Sequence, residues 1–565
     1  MPKSRVLIAG LLGLVLVSLI FLAAPRARGT MGKVSEPPRP DTDTVFYLDE
    51  ALQSDADRML AAYHAPAGTT LKVERKAGDA AVAAVKSGAA DLALTLVRPD
   101  TPGLTGRPVL YRPQVLAAPW LSPVRDVPLD EARQLAATSV TDKSPGLLSG
   151  GPSAFTPSLQ PVCVDGVLPS LSNIRQGRYP LSQPIYLVSR DDAAPSAGAA
   201  SLADWLSRPE ASDAFLAASP QATLTVFGDI MLARGVDGQI GKYGVDWPFE
   251  QVSGRTAAGD ITFANLEAPF GTTGTPLPRK LIWFRARPEA AAALPKAGVD
   301  VVTLANNHIL DYDTPNFLET LDLLDKTGVK HVGGGRTLTE ARQPVIMEVN
   351  GIRVAFLGYS GFADIFWDYK YPRRFTATDD TPGKPAVPGV APVRLDLIQE
   401  DIAAARKQAD VVAVAYHWGW EYTNVPGPDM VALAHASVDA GADLVLGFHP
   451  HAVQGLERYK NGFIAYSLGN FVMDQKRDIT RESMILEFLL QKDGVRTVNV
   501  VPVMIQNYRP HLATGAEGEN LWAKLRRISG QIPAPAGMVD ASGPKALTPS
   551  PKPAKAPAVP ATVTP

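Results

Sequence analysis

The chain has 565 residues, 45% of them hydrophobic and 20% charged, a globular balance with length for about two to four domains. Lys plus Arg number 55 against 57 Asp plus Glu, so the basic surplus of a nucleic-acid binder is missing and no nucleic-acid partner is expected. The single cysteine, Cys163, excludes an internal disulfide framework and a cysteine-built zinc module; a buried apolar thiol is its expected role.

Val6 to Ala24 is an uncharged apolar run behind Lys3 and Arg5. It is long enough to cross a bilayer as a helix, which takes about 20 residues, and longer than the apolar core of a cleaved signal. Residues 1–25 therefore read as a transmembrane anchor in preference to a cleaved signal, with the bulk of the chain expected outside the cytoplasm on a single-pass tether. Residues 26–44 lack apolar periodicity and read as a linker. Residues 45–220 mix helical runs (Asp49 to Tyr63, Ala80 to Lys86, Leu129 to Ala136, Leu202 to Ala218) with short strands (Asp91 to Val97, Gln183 to Ser189), which gives a smaller α/β domain. Residues 511–565 are assigned to a mostly disordered tail, dominated by Pro and Ala from about Pro533 onward.

Residues 221–510 carry the chemistry. Six apolar runs of strand length each end in groups that bind metals or move protons. Thr223 to Phe227 leads to Asp229, Ile261 to Phe263 to Glu267, and Val299 to Leu304 to Asn307 and His308. Val411 to Ala415 leads to His417, Leu444 to Leu446 to His449 and His451, and Phe463 to Tyr466 to Asn470. Helical patterns separate them (Asn316 to Thr327, Leu395 to Ala409, Met430 to Ala440), so the domain reads as α/β with parallel strands, whose ligands bind beyond the carboxyl ends. Four of the eight histidines sit at those ends beside Asp229, Glu267 and Asn307. Imidazoles, carboxylates and an amide suit one or two divalent cations of the Mn, Zn or Fe kind, and neither a thiolate zinc site nor a calcium cage. Arg234, just beyond Asp229, is a candidate for binding an anionic substrate, with a solvated helix face as the alternative. Asn470 is a candidate to orient a ligand, and Asp311 either orients the His308 imidazole or caps the following helix.

These phrases carry a resemblance. GDIMLAR (228–234), ANLEAPF (264–270), ANNHILDY (305–312), AYHWGWEY (415–422), GADLVLGFHPHAVQGLE (441–457) and YSLGNFVMDQ (466–475) are similar to the CapA family of poly-γ-glutamate capsule synthesis, a branch of the calcineurin-like metallophosphoesterases. The resemblance covers about residues 223–505 and implies a two-sheet sandwich flanked by helices, with metals at the sheet edges. It implies that Asp229 and His451 hold one metal, that Glu267 bridges, and that Asn307, His417 and His449 hold the other. It also implies that His308 is the general acid, a role its ordinary pKa of about 6.5 suits. Two positions depart from the pattern: Met231 stands where the superfamily has a ligand histidine, and Phe448 stands where CapA relatives often carry a further histidine. The expected function is synthesis or export of an anionic envelope polymer, with membrane polymer-synthase subunits as candidate partners and a phosphoesterase-like hydrolase site. The alternatives are a non-catalytic polymer-binding assembly factor and an anion-binding module in residues 45–220. Phrases in that region, such as NIRQGRYPLSQPIYLVSR (173–190), weakly resemble phosphate-type periplasmic binding proteins.

Overall fold

The computed structural model describes residues 43–536 except 142–143, 149–153, 157, 217–219, 279 and 365–374. The expected anchor, nearly all of the linker and the Pro/Ala-rich end from 537 onward lie outside the described residues.

The first domain is built on a five-stranded mixed sheet, in the order Leu71–Lys76, Thr44–Asp49, Leu92–Thr95, Gln183–Arg190, Leu104–Arg112. The single helix expected over Leu202 to Ala218 is two, Ala197–Trp205 and Pro209–Leu216, because Pro209 cannot continue the first one and is tolerated at the start of the second.

The second domain pairs two sheets. One runs Lys330–Val332, Val301–Thr303, Ile261–Leu266, Ala222–Ile230, Glu482–Gln491, Gly494–Gln506, Arg509–Leu512. The other runs Val345–Val349, Ile352–Ser360, Val411–His417, Leu444–Phe448, Gly462–Ala465, Leu456–Tyr459. The strands that bear the candidate ligands are parallel, as expected; antiparallel strands complete both sheets, including the Glu482–Gln491 to Gly494–Gln506 hairpin. Alternation sorts the side chains into layers. Leu224, Val226, Phe263, Val411, Ala413, Ala415, Leu444 and Leu446 fill the space between the sheets. Val412, Val414 and Tyr416 face out under the helices Leu395–Arg406 and Pro428–Asp439, and Ile230, Leu266 and Val302 face out on the first sheet beside the helix Asp313–Thr327.

The tail boundary at 511 is corrected. Arg509–Leu512 is an edge strand and Gly515–Ser529 a helix whose Leu521, Trp522, Leu525 and Ile528 pack into the inter-sheet core. Residues 521, 525 and 528 follow the helical period, so they form one apolar stripe that needs a partner. Trp522 is fully buried and donates from Nε1 to the Ser122 carbonyl of the first domain at 3.2 Å. Trp522→Ala is expected to lower stability by about 3–5 kcal/mol, read as a shifted midpoint in urea unfolding of the full chain.

Candidate metal centre

Strand ends, one bulge and two turns bring the candidate ligands together. His417 continues the inward parity of Val411, Ala413 and Ala415 and ends its strand beside Phe448. Glu267 follows the Ile261–Leu266 strand with the parity of Ile261 and Phe263. Asp229 reaches the same side through a bulge: Val226 pairs with Phe263, but Asp229 pairs with Asn265, so one extra residue turns Asp229 inward in place of Gly228. Gly228 is required there, since a Cβ would meet the Gly469 carbonyl oxygen at 2.0 Å. That close approach lets Asn470–Val472 pair alongside Asp229. His449 and His451 flank Pro450 with φ of 93° and 55°, left-handed values that non-glycine residues rarely hold outside functional sites.

Two donor sets converge, Asp229 with Glu267 and His451, and Glu267 with His417 and His449; within each set the donor atoms lie within 4.8 Å of one another. Glu267 Oε1 is 3.7 Å from His451 Nε2 and 3.8 Å from His417 Nε2. His417 Nε2 is also 3.0 Å from Asn307 Oδ1 and 3.1 Å from His449 Nδ1. Donors sharing one tetrahedral zinc at 2.0–2.1 Å would stand about 3.4 Å apart, so these spacings suit a shared cation. Glu267 makes the strongest case. It is fully buried, and neither carboxylate oxygen has a hydrogen-bonding partner. Burial first and the Asp229 carboxylate second push its pKa well above the usual range, a position a cation would reverse. Burial also pushes Asp229 from 3.8 up to about 6, against the pull of His451 and the Asn265 amide. The same desolvation holds His417 and His449 far below their ordinary pKa, so both are neutral imidazoles suited to ligation. The donor set therefore fits one or two divalent cations.

The neighbours of these residues orient them. Asn470 Oδ1 lies 2.8 Å from His451 Nδ1, which leaves Nε2 directed to the Glu267 side. Asn265, named in the sequence only as part of a motif, donates to Asp229 Oδ1 at 2.8 Å and accepts from Asn306 at 3.1 Å. Asn306 Oδ1 takes the amides of His308 and Ile309 and so locks the turn that presents Asn307 and His308. Met231 is buried, with its sulfur 3.2 Å from the Ala233 amide.

His308 sits in a separate cluster. Its ring stacks on Phe284 at 3.9 Å, and Nδ1 lies 2.7 Å from Asp311 Oδ2. Asp311 therefore orients the imidazole, and the helix behind it starts at Asp313 without its help. Lys280, which no sequence pattern marked, is buried against both: its ammonium donates to Asp311 and to the Asn307 carbonyl, and it stands 3.3 Å from His308 Nδ1. Desolvation, Lys280 and His451 all hold the His308 pKa well below normal, which corrects the expectation of an ordinary value: without a bound cation the ring is neutral, with Nε2 as its open nitrogen. Arg234 lies at the rim with φ of 53°, paired to Asp474 through Nε at 3.1 Å and 5.0 Å over the Phe284 ring. Trp418 is buried against Tyr416 in the outer layer.

Lys280→Met leaves the Asp311 carboxylate buried without its cation, and unfolding should show a loss of about 3–5 kcal/mol, partly restored in Lys280→Met/Asp311→Leu. The raised Asp229 pKa also sets a sign. The unfolded chain ionises first, so stability of the chelator-treated protein should fall as pH rises from about 4 through about 6. With divalent metal added the slope should reverse over that range, because the ligands must lose their protons to bind; melting temperatures measured both ways check this.

The family described as "Bacterial capsule synthesis protein PGA_cap" matches residues 223–475. "Capsule biosynthesis protein CapA" of Bacillus anthracis is 35% identical over 326 residues, covering 56% of this chain and 76% of that protein. "PGA biosynthesis protein CapA" of Bacillus subtilis is 33% identical over 285 residues, covering 50% and 71%. A "Probable polyglutamine synthesis accessory protein" of Mycobacterium tuberculosis is 30% identical over 321 residues, covering 54% and 82%. Among solved structures, an ABC-type phosphate transport receptor from Vibrio cholerae covers 31% of this chain and 98% of its own at 13% identity, with a TM-score of 0.25 that assigns nothing. Convergent strand ends, motif order and these relatives agree: the chain belongs to the CapA family of bacterial capsule synthesis proteins.

Proposed function

We propose that this chain is a membrane-tethered, extracytoplasmic protein of capsule synthesis that handles an anionic envelope polymer through a metal-dependent, phosphoesterase-like site. The relatives' names support capsule and poly-γ-glutamate synthesis as the setting, and the apolar run Val6 to Ala24 supports the tether. Glu267 carries the reading of the site: a fully buried carboxylate with both oxygens unpartnered, shared by two sets of ligands. Divalent cations bound there would supply Lewis-acid polarisation of the scissile group. Asp229 and His451 would hold one cation, Asn307, His417 and His449 the other, and Glu267 both. Asp311 fixes the His308 ring so that proton transfer runs through Nε2, and Lys280 holds Asp311 in place. Arg234, already tied to Asp474, sits where it would favour a negatively charged substrate.

A second reading, a polymer-binding assembly factor with little turnover, is favoured by one observation. Met231 occupies the position of an expected ligand histidine and directs its sulfur to the Ala233 amide, so the Asp229 set is short of a donor. Metal analysis and turnover separate the two. The purified full chain should hold about one or two transition metals. Glu267→Gln should lose at least one of them. His308→Ala should keep its metal and lose hydrolysis of a generic phosphodiester. A metal-free native chain would refute the metal-dependent site. In the second reading, Glu267→Gln would restore surface polymer to a deletion strain.

A further inference from the structure

A cavity of about 290 Å³ at the rim of the site is lined by Arg234, Tyr422, Asp474, Gln475, Lys476 and Arg477. Its one acid, Asp474, is committed to Arg234 and to the Gly235 amide, which leaves the charges of Lys476 and Arg477 uncompensated within the lining. Tyr422 connects this cavity to the ligand loop. Its φ of 62° is left-handed, a conformation rare for a ring-bearing residue, and its amide donates at 2.7 Å to the carbonyl of Pro450, between His449 and His451. The Tyr422 ring stacks toward His451 at 6.1 Å, and the Arg477 guanidinium lies 4.0 Å from the same ring. No carboxylate pairs with Arg477 among the described residues. A guanidinium stacked by its face on an aromatic ring keeps its N–H edges available for two-point binding of a carboxylate or phosphate.

We propose that Arg477, braced by Tyr422, is a specificity subsite that takes a second anionic group of the substrate while another part of the same molecule occupies the metal centre. The site thereby selects a chain of repeating negative charges over a single anion. Tyr422 is the positioning residue: it holds the guanidinium beside the His449–Pro450–His451 loop. This rests on the reading above that the substrate is anionic, and deepens it by naming the residue that reads the second charge.

The test is binding to the full chain of two probes, a short γ-glutamate oligomer and inorganic phosphate, each with the metal-loaded and the chelated protein. Arg477→Ala should weaken oligomer binding roughly tenfold and flatten its salt dependence while leaving phosphate affinity and metal content unchanged. Tyr422→Leu should weaken the oligomer likewise, and Tyr422→Phe, which keeps the ring, should restore it. Oligomer affinity unchanged in Arg477→Ala would overturn the proposal, as would equal weakening of both probes. Arg477-dependent oligomer binding by a wild-type chain that retains no metal would uphold this subsite and overturn the metal reading instead.

Discussion

A carboxylate shut away from water with no hydrogen bond is the constraint around which the second domain is arranged. Glu267 meets that description, and Asp229 stands beside it, so two buried acids share one space. In a low-dielectric interior that arrangement disfavours both charges, and the polar groups nearby only partly offset it. Asn265 donates to Asp229, the His449 amide approaches it at 3.4 Å, and the His417 and His449 imidazoles are neutral. Rigid packing of the two sheets keeps the acids from relaxing apart or reaching solvent. Burial and mutual repulsion hold both acids toward their protonated forms, and a divalent cation placed between them would favour the ionised forms instead.

The His308 cluster stands a step away from these acids. His308, Asp311 and Lys280 form their own buried set, with Phe284 closing the ring face. Lys280 donates to the Asn307 carbonyl as well as to Asp311, so one ammonium fixes both the ligand turn and the carboxylate that aligns His308. Breaking that tie would disturb both ends of the site, which makes the loop carrying Lys280 as consequential as the strands that carry the ligands.

The first domain meets the second at a polar cluster around Cys163, where Arg255 donates to the Gly166 carbonyl. Within the second domain Arg255 pairs with Glu487 and Asn499 donates to Glu487 at 2.7 Å, and Asn499 also reaches across to the Cys163 sulfur at 3.4 Å. Cys163 is fully buried, and desolvation pushes its thiol up to about 12, which keeps it protonated as a packing and hydrogen-bonding group. Trp120 meets Phe463 edge-on, and Trp522 reaches Ser122. This interface places residues 45–220 against the sheets that carry the candidate site, through contacts that no local pattern marks.

Much of the site was legible because strand parity and strand ends are local properties. Alternation through Val411 to Ala415 fixes the side on which His417 emerges, and apolar runs ending in Asp, Glu, Asn or His mark where ligands cluster. What escaped the sequence depends on contacts between distant segments. Lys280 lies in a stretch with neither helical nor strand period, and its role exists only once the loop folds over Asp311. The bulge that turns Asp229 inward needs Gly469 to press against Gly228, and the helix Gly515–Ser529 was hidden by the neighbouring Pro-rich composition. By itself the sequence determined the family and the candidate ligands, because both rest on residue type and the order of short motifs. Only the tertiary structure decided which buried groups are left without partners, since hydrogen-bond satisfaction is settled by neighbours far away along the chain.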